Sequence, residues 1–338
     1  MPRVVLAVDG NAIVHRSFHS QAATGFRAPD GRPRWAVRGL LSQLVAAVER
    51  VDPDVVVVGF DDPGASARRE RWPQYKAQRG DKLDTLVEQL DAAAGALSAL
   101  GVTVVVPPGL EADDVLASVA RAAPAAGATT VVMTSDRDAF GLIDAHTRVL
   151  RIINGGVEAS PLLTPERLVT LLGVRPDQYQ DFAALRGDPS DNLPGVRGIG
   201  PKTAARLLAA LGSARAAFDD LAAVAEAVGP RVAARLADPA ARAAWELNCR
   251  VMTMHDDVPV DVSGTTGTLP LAADAVRAAF AALELPWTAA TALRVLARDT
   301  STPAPPAPVE PEWNPGPRRG RGLPPLPRKK ADDQLALF

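Results

Sequence analysis

The first half of the chain contains short runs of branched apolar residues without polar alternation, at 4–9, 55–61, 102–106, 131–135 and 148–153. Such runs are typical of strands buried on both faces of a parallel sheet. Segments with helical periodicity lie between them, near 36–50, 83–100, 112–122 and 138–143. This alternation predicts an α/β domain with a mostly parallel sheet and helices on both of its faces.

The strand pattern stops near residue 164, and only helical patterns follow, at 165–172, 176–186, 201–211, 214–228 and 230–250. We therefore expect a helical subdomain packed on the sheet domain. The last 38 residues contain 10 of the 30 prolines and a cluster of arginines and lysines. Such a segment buries too little apolar surface to offset its chain entropy, which predicts a disordered tail.

Three of the apolar runs end on an aspartate, namely Asp9, Asp61 and Asp136. Because ligands of parallel α/β sheets bind beyond the carboxyl ends of the strands, these side chains should gather at one rim. Other acids come in short packets along the chain: Glu111, Asp113, Asp114, Asp138, Asp188 and Asp191.

Nine converging carboxylates would repel one another by several kcal/mol unless cations neutralised them, and hard divalent ions prefer oxygen ligands. We hypothesise a two-metal site that cleaves phosphodiesters. The alternative is that each acid merely caps a helix or forms a turn, as Asp113, Asp114 and Asp191 could. Capping does not explain why three separate strands end in aspartate.

Basic and aromatic residues alternate at 68–82, directly after the second of these aspartates. They offer phosphate contacts and base stacking beside the expected metal rim. The residues concerned are Arg68, Arg69, Arg71, Trp72, Tyr75, Lys76, Arg79 and Lys82. Lys76 and Arg79 are the best candidates for binding the phosphate that is attacked. The alternative is an ordinary charged helix exposed to solvent.

The segment 195–208 has the pattern of a helix-hairpin-helix motif. Gly198 and Gly200 allow a tight turn, Pro201 suits the first turn of a helix, and Lys202 adds a positive charge. The free N–H groups at such a terminus can bind phosphate oxygens. This motif binds the backbone of duplex DNA without reading its sequence.

The overall composition indicates the cellular compartment of the protein but not the reaction that it catalyses. The chain has 338 residues, a formal net charge of −2 and one cysteine, Cys249, which excludes a disulfide framework or a cysteine zinc site. The chain begins directly with a strand pattern, and no stretch is apolar enough to span a membrane. We expect a cytoplasmic protein.

Six segments together resemble the bacterial 5′→3′ exonuclease and flap endonuclease family, which includes the 5′-nuclease domain of DNA polymerase I. They contain Asp9-Gly10-Asn11 with Arg16, Phe60-Asp61, Tyr75-Lys76 with Arg79, Glu111-Ala112-Asp113-Asp114, Ser135-Asp136-Arg137-Asp138, and the run from Gly187 to Gly195. The resemblance covers about residues 1–295, in order.

The resemblance implies a PIN-like nuclease core at 1–163 with a helical arch at about 62–95, a helical DNA-binding region at 164–299 that contains a helix-three-turn-helix, and a tail at 300–338. It assigns all nine acids to Mg²⁺ or Mn²⁺, two or more ions, with Asp136 also counted as catalytic. Lys76 and Arg79 match the arch bases at the attacked phosphate. A K⁺ ion at the hairpin is also implied.

The expected DNA-binding set joins the arch and hairpin residues to Arg16, which matches an arginine near the 5′ strand. Its members are Arg16, Arg68, Arg71, Tyr75, Lys76, Arg79, Gly198, Gly200, Lys202 and Thr203. The chain departs from the family at His15, where relatives often carry Tyr. Phe18 could supply the aromatic face instead, or serve as an apolar anchor. The other histidines, at 19, 146 and 255, have no ligand-like spacing.

The chain ends in the apolar peptide Gln334-Leu335-Ala336-Leu337-Phe338. This peptide resembles the sliding-clamp-binding motif of bacterial proteins, so Gln334, Leu335, Leu337 and Phe338 are candidate clamp contacts. A tail gains nothing by exposing these side chains to water unless a pocket receives them. The alternative is a frayed end without function.

These observations predict a monomeric, metal-dependent 5′-nuclease that removes 5′ flaps or RNA-primed ends from DNA during replication and repair. Two alternatives belong to other classes. An RNA-directed nuclease of the PIN type would rarely need the duplex-binding hairpin. A DNA-structure binder without catalysis would have lost metal ligands, and the sequence retains them all.

Overall fold

The computed structural model describes residues 2–80, 82–264, 266–283 and 285–301. The predicted tail lies outside these residues from position 302 onwards, and so does the terminal clamp-like peptide.

The centre of the fold is a six-stranded sheet. Its strands are β1 (Arg3–Asp9), β2 (Val55–Gly59), β3 (Thr103–Val105), β4 (Ala128–Thr134), β5 (Thr147–Arg151) and β6 (Leu162–Leu163). The strand order is β3-β2-β1-β4-β5-β6, and every neighbouring pair is parallel except β5 with β6. The predicted α/β fold with a mostly parallel sheet is confirmed. The short β6 was not predicted because two residues carry no periodicity.

Fifteen α-helices occur in the described part of the chain. The first eight are α1 (Gly10–Gln21), α2 (Trp35–Val51), α3 (Ala67–Arg71), α4 (Asp84–Ala99), α5 (Ala112–Ala122), α6 (Gly156–Ala159), α7 (Pro165–Leu172) and α8 (Tyr179–Arg186). The others are α9 (Pro201–Leu211), α10 (Ala214–Asp219), α11 (Leu221–Ala227), α12 (Pro230–Leu236), α13 (Pro239–Met252), α14 (Ala273–Ala282) and α15 (Pro286–Leu296).

The two faces of the sheet bury different helices, because side chains alternate along each strand. Leu6 and Val8 of β1 belong to a core formed with α1, α2, α4, α14 and α15. Val5 and Ala7 belong to the opposite core, which contains α5 and the helices from α7 to α13. The last two helices thus pack on the sheet, although the sequence analysis grouped them with the DNA-binding region.

Two predicted helices are each divided by an aspartate that caps the next helix. Asp220 accepts a hydrogen bond from the backbone N–H of Ala223, so α11 begins after it instead of continuing α10. Asp238 accepts one from Ala240 and separates α12 from α13. Side chains that bond the backbone locally compete with helix continuation, which explains why apolar periodicity alone overestimated these lengths.

A two-stranded antiparallel ribbon lies within the helical region, so the expectation that strands end near 164 is wrong. Its strands are β7 (Gly187–Asp188) and β8 (Leu193–Pro194). Gly187 has φ +76°, and a Cβ there would lie 2.2 Å from the backbone nitrogen of Gly195, so only glycine fits. The ribbon brings its turn, with Asp188 and Asp191, into a fixed position after α8.

Candidate active site

The sheet topology brings the three strand-end aspartates together. Asp9 is the last residue of β1, Asp61 follows β2 by two residues, and Asp136 follows β4 by two residues. These strands are adjacent and parallel, so all three carboxylates lie at the same edge. After β1 the next strand is β2 on one side, and after β4 the next strand is β5 on the other side. In open α/β sheets, ligands bind at the carboxyl ends of two such neighbouring strands, where the strand order reverses.

The N-terminus of α5 adds two more acids to this edge. Ala112 donates its backbone N–H to Asp61 Oδ1 over 3.0 Å, which fixes the start of α5 against the end of β2. Glu111 caps the helix and Asp113 lies in its first turn. Asp138 begins a short 3₁₀ helix, and its N–H donates to Asp136 Oδ1 over 3.0 Å.

The inner carboxylates Asp9, Asp113 and Asp138 repel one another. Asp9 is buried, and Asp113 and Asp138 are half-buried with one buried oxygen each. Burial, with the neighbouring acids adding to it, raises the pKa of Asp9 to about 7 and that of Asp138 to about 7. Burial also raises the pKa of Asp113 well above its usual value, and the charges of Asp9, Asp136 and Asp138 raise it further. A cation bound among these carboxylates would stabilise their charged forms and reduce the repulsion between them.

Two of these inner carboxylates also have an unpaired oxygen. The Oδ1 atoms of Asp113 and Asp138 are buried and have no hydrogen-bond partner among the described residues. A buried unpaired carboxylate oxygen is costly, and it marks a position where a ligand completes the site. Carboxylate oxygens are the ligands that hard divalent cations prefer, so these two unpaired oxygens fit the predicted metal ions.

Two neighbouring polar side chains that the sequence analysis did not select hold the acids in place. Thr134 Oγ1 donates to Asp9 Oδ2 over 2.7 Å. Asn11 donates to Asp61 through its amide and accepts the N–H of Asp61 over 3.1 Å. Both could have been selected from the sequence, because Asn11 lies two residues after Asp9 and Thr134 lies two residues before Asp136.

The outer carboxylates are paired with bases from the segment between α3 and α4. Lys76 Nζ lies 2.9 Å from Glu111 Oε1, and Arg79 forms an ion pair with Asp191. Burial would lower the pKa of Lys76, but the charges of Glu111 and Asp191 raise it above its usual value. Within the described ranges, no group of three or more acidic, histidine or cysteine side chains is arranged to hold an ion as it stands.

Lys82 extends this basic layer to the end of β2. Its Nζ lies 3.9 Å from Asp61 Oδ2. Burial, and to a smaller extent the charge of Lys82, lowers the pKa of the nearby His15 to about 4. The predicted arch bases therefore lie over the acid cluster, where a polyanion would meet positive charge before it met the carboxylates.

Asp114 does not face this cluster, which corrects its expected role as a metal ligand. Its side chain is fully buried, and both of its oxygens accept hydrogen bonds from Arg68, over 2.6 and 2.8 Å. Backbone N–H groups of Glu111 and His255 also donate to it. The carboxylate is thus a structural partner of Arg68, because each of its oxygens already accepts two hydrogen bonds.

Arg68 and Tyr75 are also corrected, since neither is available to DNA. The Arg68 side chain is 6% exposed, and its five N–H donors reach Asp114, Glu111 and the carbonyls of Val251 and Thr253. Tyr75 is buried and its hydroxyl donates to Glu111 over 3.1 Å. Both side chains connect the arch segment to Glu111.

The other expected DNA contacts lie at the surface. Arg71 is exposed with its guanidinium over the ring of Trp72 at 5.2 Å. Arg16 donates to Asn154 Oδ1 over 2.7 Å.

Phe18 is not available for base stacking. It is buried against Trp35 with ring centroids 5.4 Å apart, so it is an apolar anchor.

The hairpin of the helix-hairpin-helix has the local structure that its sequence predicts. Gly198 has φ +78° and its carbonyl accepts a hydrogen bond from Arg235. Gly200 caps α9 without a side chain, and Pro201 is the first residue of that helix. Lys202 is exposed and Thr203 is partly exposed, so the N-terminus of α9 is open to a phosphate.

Comparison with known proteins identifies the family. The sequence profile of the 5′-3′ exonuclease N-terminal, resolvase-like domain matches residues 4–172, and that of the 5′-3′ exonuclease C-terminal SAM fold matches residues 174–272. The chain belongs to the 5′-3′ exonuclease family. The predicted resemblance to this family is therefore confirmed.

The curated relatives of this 5′-3′ exonuclease family member include bacterial DNA polymerases I. DNA polymerase I of Mycobacterium tuberculosis is 40% identical over 233 residues, 69% of this chain and 26% of the relative. Thermostable DNA polymerase I of Thermus aquaticus is 37% identical over 258 residues, 76% of this chain and 29% of the relative. The chain thus spans less than a third of the length of these relatives.

Solved structures with the same fold include the T5 5′-exonuclease and the catalytic core of Rad2. The T5 5′-exonuclease with bound zinc ions has a TM-score of 0.54 at 17% identity, covering 74% of this chain and 98% of that protein. The catalytic core of Rad2 in complex with DNA substrate has a TM-score of 0.55 at 16% identity, covering 87% and 92%. At this identity the likeness supports the fold. Among the described residues, no helix combines the length and apolarity needed to cross a bilayer.

Proposed function

We propose that this chain hydrolyses phosphodiester bonds of DNA as a divalent-metal-dependent 5′→3′ exonuclease and 5′-flap endonuclease. The observation that carries the proposal is the acid cluster under a layer of bases. The Oδ1 atoms of Asp113 and Asp138 are buried and have no hydrogen-bond partner in the described part of the chain, and a cation would provide one. Lys76 and Arg79 lie over the outer acids, where a scissile phosphate would enter.

The residues that would hold Mg²⁺ or Mn²⁺, two or more ions, are the acids that remain after Asp114 is set aside. They are Asp9, Asp61, Glu111, Asp113, Asp136, Asp138, Asp188 and Asp191. When bound there, such ions would activate a water molecule for attack and stabilise the charge of the leaving 3′ oxygen. No side-chain nucleophile is then required.

The protein side chains would orient the substrate and hold the ligand oxygens in place. Thr134 and Asn11 fix Asp9 and Asp61 through hydrogen bonds, so the ligand oxygens stay in place. Lys76 and Arg79 would exchange their present carboxylate partners for the attacked phosphodiester and stabilise the charge that develops on it. We regard these two bases and Asp136 as the catalytic residues.

Duplex DNA would bind at the hairpin of the helix-hairpin-helix. The backbone N–H groups from Gly198 to Thr203 and the charge of Lys202 suit phosphate oxygens, without any reading of sequence. We further propose a K⁺ ion there, between the hairpin carbonyls and a DNA phosphate. Structural relatives support a DNA partner, since Rad2 was solved with a DNA substrate.

The two rival functions fit the site less well. An RNA-directed nuclease has no use for the open N-terminus of α9 beside the hairpin. A binder without catalysis would not maintain buried, mutually repelling carboxylates, because they cost stability and contribute nothing to affinity for a polyanion.

The experiment is Asp136→Asn, assayed on a 5′-flapped duplex in Mg²⁺ and in EDTA. Asp136 is exposed at the end of β4, so the amide should not disturb the fold. We expect cleavage to fall by orders of magnitude while DNA binding changes little, because a metal ligand acts on the transition state. Asp177→Asn, which alters an exposed carboxylate paired with Arg175, is the matched control. A rate for Asp136→Asn within threefold of that control would refute the proposal.

The cellular role and the tail belong to the same proposal. We propose that the protein acts as a monomer and removes flaps or RNA-primed ends during replication and repair.

Residues 334–338 remain the proposed sliding-clamp peptide. Deletion of 334–338 should abolish clamp binding in a calorimetric titration and leave clamp-free flap cleavage unchanged; unchanged clamp affinity would contradict this part of the proposal.

A further inference from the structure

Three arginines lie at the carboxyl ends of β4 and β5, beside the acid cluster. Arg151 is the last residue of β5 and pairs across the sheet with Thr134, the last residue of β4. Arg137 follows β4 by three residues. Arg16 reaches the same edge from α1, where its guanidinium donates to Asn154 Oδ1 over 2.7 Å.

These guanidiniums lack an anionic partner. Among the described residues, none of the three forms an ion pair within 4.0 Å with a carboxylate. The Nε of Arg151 is buried without a hydrogen-bond partner in the same part of the chain. Its guanidinium lies 5.8 Å from the ring centroid of Phe140, which supports it from one side only.

The electrostatics agree with this geometry. Burial lowers the pKa of Arg151, and the positive charges of Arg137 and Arg16 lower it further. Three like charges held together without a counterion raise the energy of the protein, and an anion among them would lower it. Guanidinium groups with free N–H donors match the oxygens of a phosphate.

The position of the cluster differs from that of the arch bases. The arch segment leaves the sheet after β2, while Arg151 ends β5, which is three strands away in the order β2-β1-β4-β5. Three strand spacings are roughly 14 Å. That distance is about four nucleotide steps of duplex DNA at 3.4 Å each. The two strands between β2 and β5 are β1 and β4, which lead to Asp9 and Asp136 of the acid cluster.

We propose that Arg16, Arg137 and Arg151 form a second phosphate-binding site, which holds the DNA strand on the side of the acid cluster opposite to the arch. This inference rests on the proposed nuclease function and adds Arg137 and Arg151 to its DNA contacts. A strand bound at both places would cross the acid cluster, and the scissile phosphate between them would be fixed in register.

The experiment measures binding of a 5′-flapped duplex to the full chain by fluorescence anisotropy in Ca²⁺, at several salt concentrations. Arg137→Gln and Arg151→Gln should each weaken binding roughly fivefold and reduce the log–log salt slope by about one. Arg148→Gln is the matched control, because Arg148 is exposed on the same strand three residues before Arg151 and also has no carboxylate partner among the described residues.

Two sources of the phosphate can be separated with nicked duplexes that carry a 5′-phosphate or a 5′-hydroxyl. An equal loss of affinity with both ends assigns the site to an internal backbone phosphate. A loss seen only with the 5′-phosphate assigns it to the strand end. Either result supports the site.

Normal affinity in both variants, or a loss no larger than in Arg148→Gln, overturns it. In that case flap cleavage by the wild-type protein shows that the proposed function itself still stands. Arg151→Lys keeps the charge at the partly buried position, so restored binding in this variant excludes misfolding as the cause of a loss.

Discussion

Arg68 offers the sharpest test of how the arch segment is joined to the active site. Its guanidinium is 6% exposed and forms a two-point ion pair with Asp114, which is fully buried. Arg68→Met removes the charge and all five donors but keeps much of the side-chain volume. The variant leaves Asp114 buried without a cation.

The expected loss of stability is about 3–5 kcal/mol, the cost of breaking a buried ion pair by removing one partner. The carbonyls of Val251 and Thr253 lose their donors as well, so the upper half of this range is the better expectation. Domains are stable by roughly 5–15 kcal/mol, so the variant should still fold under mild conditions. Urea titration followed by circular dichroism measures the change.

The pH dependence gives a signature that a simple loss of packing would lack. Burial alone would raise the pKa of Asp114, but the bonds and charge of Arg68 lower it. In the wild type this pair therefore stabilises the fold above the ordinary aspartate pKa and loses its effect as pH falls. In Arg68→Met burial dominates and raises the pKa, so the charged carboxylate destabilises the fold at neutral pH. The difference between the two proteins should shrink between pH 7.5 and pH 5.

Two comparisons would refute this reasoning. Arg69→Met changes the exposed neighbour on the same helix and should cost less than about 0.5 kcal/mol. Arg68→Met/Asp114→Asn should recover about 1–2 kcal/mol relative to Arg68→Met, since the buried charge is gone. A loss in Arg68→Met no larger than in Arg69→Met, or strictly additive effects in the double variant, would show that the pair is not what holds the arch.

Three further predictions concern the acid cluster and the hairpin. Asp113→Asn should raise the melting temperature in EDTA at pH 8, because it removes a buried charge that its neighbours repel, and it should lower cleavage by orders of magnitude; a lower melting temperature would contradict the assigned burial. The metal-free protein should lose stability as pH rises from about 4 to about 7, because this range lies between the ordinary aspartate pKa and the raised pKa values of Asp9 and Asp138. In thermal melts, Mg²⁺ should raise the melting temperature, and this rise should grow with pH. Lys202→Ala should reduce the salt slope of duplex binding by roughly one for all sequences alike, so a sequence-dependent effect would exclude a backbone contact.

The sequence by itself determined the five longer strands of the main sheet, many of the helices and the edge at which the acids meet. Helices α5, α7 and α9 have the predicted limits, since caps, glycines and prolines act locally. The strand-end acids Asp9, Asp61 and Asp136 were placed correctly because parallel strands share the direction of their carboxyl ends. Helix α1 was missed, although Asp9 caps it and apolar residues at 13, 14 and 18 mark its buried face.

Only the tertiary structure decided which neighbouring residues point into the site and which point away. Asp113 and Asp114 are adjacent in sequence, yet one is repelled by the inner acids and the other is paired with Arg68, because successive residues of a helix lie about 100° apart. Arg151 and Arg16 are distant in the chain and meet only because β5 lies beside β4 and α1 covers the same edge. Local patterns specify elements, whereas the partners of a charge depend on contacts between residues far apart in sequence.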